Sequence, residues 1–350
     1  MKILFFDALF PRGHKTINNA YLGSMLKMKA EVYVCAEDGW FDMIDNCHLV
    51  KKPWIRPSEN TKSKWVYRKN IIVNFKLLKN AIQEINPDII YIASYDILSF
   101  IFSFPGLIKY RNKIFLQEHN NVDQLQNRVK KLVYDLFKNI FHHFVFEEYI
   151  KNRLIELGVK ENLISIVPHP VPPASFDAVL AQERTTAIGL SNSNDEEIIE
   201  AFLAEQKKSH FLDSSNTVVI LKSKRINYSD DHLKIFSGWI NDAEYTKWCR
   251  ACSSFIIPFS KNGYSYRVSC VFMEAISNNK TIIASRFPLV EYYSEKYPGV
   301  CKIFDNVYEI ASLLKNCDND KYQSARKQFI LEHSDSSIVN AFRKAFAKMM

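Results

Sequence analysis

The stretch from Gly263 to Ser285 holds the densest set of groups that can do chemistry. A strand ending at Pro258 passes into a polar loop. The loop enters a helix with one carboxylate, Glu274, and a second strand ends in Ala284-Ser285. A helix N-terminus presents N–H groups without partners and the positive end of the helix dipole. Such an end binds phosphate, and Arg267 beside it adds a cation suited to two parallel hydrogen bonds. Tyr266 and Ser269 belong to the same loop. Glu274, about two turns into the helix, is placed to accept hydroxyls of a ribose or a sugar. The plainer alternative is a strand–helix turn whose glutamate is satisfied internally.

Other candidates stand at strand ends. The strand Lys113–Gln117 runs into Glu118-His119-Asn120, and ligands collect at carboxyl ends in open α/β sheets. His119 is the favoured functional histidine, with Asn120 beside it. Gly13 and His14 occupy the loop after the first strand. His169, in the proline linker, reads as structural, and His142-His143 border a strand. Lys222, Lys224 and Arg225 follow the strand Thr217–Leu221 and either hold a diphosphate or form a solvated loop. Asp318-Asn319-Asp320 has an Asp-x-Asp form, but its place between two helices reads as a turn and cap. No essential metal or other cofactor is expected. Cys249 and Cys252 have the spacing of a redox or zinc pair, but no second pair accompanies them, so they read as helix residues.

The elements that must position these groups alternate regularly. In the first half, strands are expected at Ile3–Phe6, Glu31–Cys35, Ile89–Ala93, Lys113–Gln117, His143–Phe146 and Leu163–Val167. Helices are expected at Asn18–Lys29, Trp65–Ile85, Asp96–Tyr110, Gln124–Asn139 and Glu147–Leu157. In the second half, strands fall at Thr186–Leu190, Thr217–Lys222, Leu233–Ser237, Ser254–Pro258 and Thr281–Ser285. Helices fall at Asp195–Gln206, Asn241–Cys252, Val268–Asn278, Tyr308–Asn316 and from Lys321 onward. Strands separated by helices of this length form parallel sheets. The proline cluster Pro168–Pro173 forbids helix and marks a boundary. It gives domains at 1–172 and 173–350, with the final helix available to pack back on the first.

The 350 residues, 47% of them hydrophobic, suffice for two cores. The opening apolar run stops at Asp7, too short for a secretory signal, and no stretch reaches the ~20 residues of a membrane span. Seven cysteines, an odd number, fit reduced thiols in the cytoplasm. The net charge of +8 is uneven: up to Pro172 there are 24 basic and 17 acidic residues, and after it 22 and 21. Trp54, Trp65 and Tyr67 lie in a basic run from Lys51 to Lys76 that includes Lys62, Lys64, Arg68 and Lys69. Such a run suits an anionic membrane surface at the cytoplasmic face. No nucleic-acid motif accompanies it, and a solvated basic helix is the alternative.

Glu274-Ala275 and Thr281-Ile-Ile-Ala-Ser285 resemble the donor-site signature of the retaining GT-B glycosyltransferases, the large family that includes sucrose synthase and many bacterial polysaccharide transferases. The first glutamate of that signature falls on Tyr266, a departure. Phe236–Tyr245, with Trp239 and Ile240, is similar to the family's base-contacting segment. Phe115–Asn120, Phe144–Gly158 and Ile164–Pro170 resemble parts of its acceptor domain. The resemblance implies two Rossmann-like α/β domains facing a cleft. It implies transfer of a sugar from a nucleotide diphosphate to a hydroxyl acceptor, a glycan or lipid-linked sugar, in surface polysaccharide assembly. Lys222, Arg225, Trp239, Ile240, Tyr266, Arg267, Ser269 and Glu274 would bind the donor. His119 and Glu274 would act on the transferred sugar, and Gly13, His14 and Asn120 would lie toward the acceptor. A sugar-nucleotide epimerase on the same scaffold, and an inactive partner subunit, remain alternatives.

Overall fold

Aliphatic and aromatic runs buried on both faces form the strands, as parallel sheets covered by helices require. The computed structural model describes residues 1–10, 14–36, 40–41, 46–57, 63–174, 185–315 and 319–348. The chain forms two compact units, Met1–Pro170 with His333–Met350, and Val171–Glu332.

Unit 1 runs β1 (Lys2–Asp7), α1 (Lys15–Lys27), β2 (Glu31–Cys35), β3 (His48–Leu49), α2 (Lys64–Ile85), β4 (Ile89–Ser94) and α3 (Ile97–Phe100). It continues with β5 (Ile114–Gln117), α4 (Asn121–Gln124), α5 (Arg128–Asp135), β6 (His142–Val145), α6 (Glu148–Glu156) and β7 (Ile164–Ile166). The sheet order is β3-β2-β1-β4-β5-β6-β7, parallel throughout. The chain reverses its direction of progress between β1 and β4, so a crevice opens beyond their carboxyl ends.

Unit 2 repeats the plan. It runs β8 (Thr185–Gly189), α7 (Glu196–Ser209), β9 (Thr217–Ser223), β10 (Tyr228–Ser229), β11 (Leu233–Ser237), α8 (Asp242–Ala251) and β12 (Ser254–Ile257). Then come α9 (Cys270–Ser277), β13 (Thr281–Ser285), α10 (Pro288–Lys296), β14 (Lys302–Phe304), α11 (Ile310–Lys315) and α12 (Asn319–Glu332). Its order is β10-β11-β9-β8-β12-β13-β14, with only β10 antiparallel, and the switch point lies between β8 and β12. The last helix, α13 (Asp335–Ala347), belongs to unit 1 and packs on α1, with the Phe342 ring 5.3 Å from Tyr21.

Several expected elements are divided. The helix expected over Asp96–Tyr110 ends at Phe100, and 3-10 turns follow at Phe104–Gly106 and Ile108–Lys113. Pro105 lacks the N–H that a continued helix needs. The helix expected over Gln124–Asn139 is two, because the Asn127 side chain accepts from Lys130 N at 3.1 Å and caps a new start. The closing helix likewise divides at His333-Ser334. The short edge strands β3, β10 and β14 carry too few residues to show a period.

The basic aromatic run does not form one surface. Trp54 is buried, donates Nε1–H to Val50 O at 2.8 Å and packs 5.7 Å from Phe6. Lys52 pairs with Glu84, and Arg56 stacks 4.6 Å from the Trp40 ring. Trp65 is exposed, Tyr67 is half-buried, and Lys62 lies outside the described residues.

Gly189 ends β8 where a side chain has no room: a Cβ there would stand 2.9 Å from Ile256 O and 2.8 Å from Leu221 Cδ2. Gly189→Ala should destabilise unit 2 by about 1–3 kcal/mol, as overpacking does. Urea unfolding checks this, and an unchanged midpoint would contradict the tight approach.

Candidate functional site

At the switch point of unit 1, Asp7 closes β1. Its Oδ1 accepts from Leu9 N at 3.0 Å, Phe10 N at 3.1 Å and the Ser94 hydroxyl that closes β4. Its Oδ2 accepts from Asn18 Nδ2 at 2.7 Å. His14 begins α1 beside this knot and lies flat against His119, with ring centroids 4.0 Å apart. His119 is buried, and Phe146 meets it edge-on at 5.0 Å. His14 Nδ1 and His119 Nε2 are both buried without a hydrogen-bond partner. Two adjacent buried nitrogens left unbonded are uncommon and mark this end of the sheet as a candidate site. Asn120 is exposed and binds Gln124, while Gly13 lies outside the described residues.

Sequence reading gave no role to Glu118, although the residue lies inside the Phe115–Asn120 motif. It is fully buried, and its Oε1 accepts from Tyr95 at 2.8 Å and Tyr134 at 3.2 Å and meets His143 Nδ1 at 2.8 Å. The other nitrogen of His143 faces Lys138 O at 2.8 Å. Glu118 thus fixes the backbone that presents His119. A carboxylate directly after an apolar strand was the available signal. His169 is held internally, with Nδ1–H donated to Pro170 O at 2.9 Å.

In unit 2, three segments meet at the carboxyl ends of β8, β9 and β12. They line a cavity of about 480 Å³ whose walls include Asn194, Lys224, Ser260, Gly263, Tyr264 and Arg267. The Arg267 guanidinium stacks 4.0 Å over Tyr264 and donates to Gly263 O. Asn194 Nδ2 bridges Gly189 O at 2.7 Å and Lys222 O at 2.9 Å, which leaves its buried Oδ1 without a partner. Asp195 and Glu196 also line the cavity, but both carboxylates are engaged. Asp195 caps α7, and Glu196 accepts from Ser223 Oγ at 2.7 Å and Lys224 N at 2.8 Å.

The other proposed donor residues stand elsewhere. Lys222 lies within β9, not after it, and its Nζ is 5.8 Å from the centre of the Trp239 ring. Arg225 turns to Glu200 and Glu196. Trp239 is 77% exposed after Gly238, whose φ of +112° suits glycine, and Ile240 is buried. Ser269 caps α9 through Phe272 N. Because α9 starts at Cys270, Glu274 stands little more than one turn in, not two. It accepts from Tyr245 at 2.5 Å, and burial raises its pKa against the lowering effect of that bond. Tyr266 is half-buried, and the described lining of the cavity ends at Arg267. Cys249 and Cys252 are buried thiols at the end of α8, with Cys252 pushed up to about 12 by burial. Asp318 lies outside the described residues.

A larger groove of about 860 Å³ runs along α7 to the ends of β13 and β14. Its arginine, Arg286, donates Nε–H and Nη2–H to Asp305 at 2.6 and 2.9 Å and Nη1–H to Glu291 at 3.3 Å. That charge is already neutralised, so the smaller cavity is the better anion site.

No protein-family model matches the chain, and no functionally described protein is detectably similar in sequence. Solved structures do match. HepE from Anabaena in complex with UDP superposes with a TM-score of 0.63 at 12% identity, over 99% of this chain and 100% of that one. Sucrose-phosphate synthase from Thermosynechococcus elongatus gives 0.67 at 11% identity, over 100% and 99%. The lipopolysaccharide outer core galactosyltransferase WaaB gives 0.60 at 15% identity, over 100% of both. The fold is GT-B. At these identities the likeness speaks for architecture alone.

The buried histidines make unit 1 sensitive to acid. Burial lowers the pKa of His14, and that of His119 well below the ordinary 6.5, with His14 and His169 adding to the effect on His119. Burial takes His169 down to about 3. In the unfolded chain these rings take protons near pH 6.5, whereas folded they stay neutral to lower pH. The unfolded state therefore binds more protons, and stability falls as pH drops below about 6.5. Each such ring contributes ~1.4 kcal/mol per pH unit. Denaturant unfolding between pH 7 and 5 should show this slope, and His119→Asn should reduce it by about one proton. An unchanged slope would mean His119 titrates normally.

Proposed function

We propose that the protein is a glycosyltransferase that moves a sugar from a nucleotide diphosphate sugar to a hydroxyl acceptor. The observation that carries this reading is the unit 2 cavity. Arg267, Lys224 and the unpartnered Asn194 oxygen converge there at a sheet switch point, where nucleotides bind in such folds. HepE, on the same architecture, is described in complex with UDP and with UDP-glucose, which supports a nucleotide-sugar donor.

In this reading Arg267 and Lys224 neutralise the diphosphate, and no resident metal is required. Trp239 offers a ring face to the base, with the buried Ile240 next to it in the chain. Glu274, steered by Tyr245, accepts a ribose or sugar hydroxyl. Lys222 supports Trp239, and Ser269 orders the N-terminus of α9. Arg225, already paired, has a secondary part. The chemistry consists of positioning and of stabilising the leaving diphosphate, with retention of configuration. On unit 1, the unbonded nitrogens of His14 and His119 receive hydroxyls, with Asn120 next to His119 in the chain. The acceptor is a glycan or lipid-linked sugar of a surface polysaccharide, met at the cytoplasmic face of a membrane. Tyr266, which replaces the family's first glutamate, favours one second reading: a partner subunit that binds the donor without transferring it.

Two measurements test the proposal. Calorimetry with UDP should show Arg267→Ala weakening affinity by roughly tenfold or more, since a charge-assisted bond contributes ~1.5–3 kcal/mol. Equal affinity would remove Arg267 from the site. Glu274→Gln should lower turnover of the nucleotide sugar strongly while the melting temperature moves little. Earlier unfolding with full specific activity would make Glu274 structural. UDP binding without transfer or hydrolysis of any nucleotide sugar would favour the partner-subunit reading.

A further inference from the structure

Helix α5 is apolar on two sides. Inward, Tyr134 packs 5.2 Å from Phe137, which in turn lies 4.9 Å from Phe100 of α3. Outward, Val129, Leu132 and Leu136 are 60, 68 and 59% exposed. Steps of three and four residues place these side chains on one ridge. Helices α3 and α5 are in contact. Phe100 is buried, so Phe102, two residues on, turns away from the core and is 73% exposed. Single exposed apolar side chains are ordinary, but a ridge of them on adjoining elements is not.

The charges around this ridge are basic. Arg128 and Lys131 interleave with it on α5, and Lys109 and Arg111 stand on the 3-10 turn before β5. The single acid of the helix, Asp135, is already bound by Lys131 at 3.1 Å and Lys138 at 2.8 Å. Protein–protein interfaces are poor in lysine at their centre, where a charge would be stranded. A bilayer surface accommodates this pattern: apolar tips sink to the acyl boundary, and long basic side chains reach back to the phosphates. Among the described residues no helix is long and apolar enough to cross a membrane, so the contact would lie on the surface.

We propose that the α3–α5 face of unit 1 docks on an anionic lipid bilayer, with Val129, Leu132, Leu136 and Phe102 inserted and Arg128 at the headgroups. This surface is distinct from the Lys51–Lys76 run, and the proposal does not depend on the donor cavity.

The test uses the full chain with vesicles of phosphatidylcholine mixed with phosphatidylglycerol, and with phosphatidylcholine alone. The protein should sediment with the first and not the second. Leu132→Asp combined with Leu136→Asp should lower binding by about tenfold or more, because two apolar contacts are lost. Both positions are exposed, so the melting temperature should hold. In a separate variant, Leu132→Trp, brominated lipid should quench the new fluorophore. No sedimentation, equal recovery with both vesicles, or no effect of the double variant would overturn the proposal. So would a wild-type dimer that the double variant turns into a monomer, which would assign the ridge to a second copy of the chain.

Discussion

Unit 1 depends on how the carboxylate of Asp7 is satisfied. A charge this deeply buried is tolerable only if its oxygens are fully bonded. Two backbone N–H groups, the Ser94 hydroxyl and the Asn18 amide meet that need. The same bonds tie the ends of β1 and β4 to α1 and hold the turn in which Phe10 adopts φ of +46°. His14 follows directly and lies against His119. The knot thereby helps to hold the first turn of α1 at the switch point, where the two imidazoles stack.

Unit 2 meets the same topological demand with other groups. Asn194 spans the carbonyls that β8 and β9 leave at their ends, and Glu196 gathers the loop after β9. Gly189 lets β8 approach β12 closely enough for both loops to reach one cavity. The carboxylates that line this cavity are engaged by a helix cap, by the Ser223 hydroxyl and by the Lys224 backbone N–H. In the neighbouring groove the Arg286–Asp305 pair makes the opposite choice, with cation and anion joined.

Much of this was legible beforehand. The alternation of strands and helices lies in local sequence and follows from periodicity, and the Glu274–Ser285 signature is a resemblance carried by the same local sequence. The weaker readings share one cause. Pro105 and Asn127 break apolar runs that look continuous, because one missing N–H or one capping side chain outweighs a favourable pattern over the next turn. Trp54 and Trp65 sit in one basic run, yet only the second is exposed. A tryptophan's environment depends on which distant strand it meets, and the partner of Trp54 is Phe6.

By itself, the sequence determined the two parallel α/β units and the succession of strands and helices along the chain. These depend on interactions between residues a few positions apart. Only the tertiary structure decided that Lys224, Arg267 and Asn194 share a cavity while Arg225 is taken by Glu200. It alone decided that His14 stacks on His119, and that Glu118 is consumed by two tyrosines and a histidine. It also decided that α5 shows an apolar face outward. Each of these outcomes depends on groups brought together across the sheet, where burial and competing partners set which charges are paired. No local spacing encodes that competition.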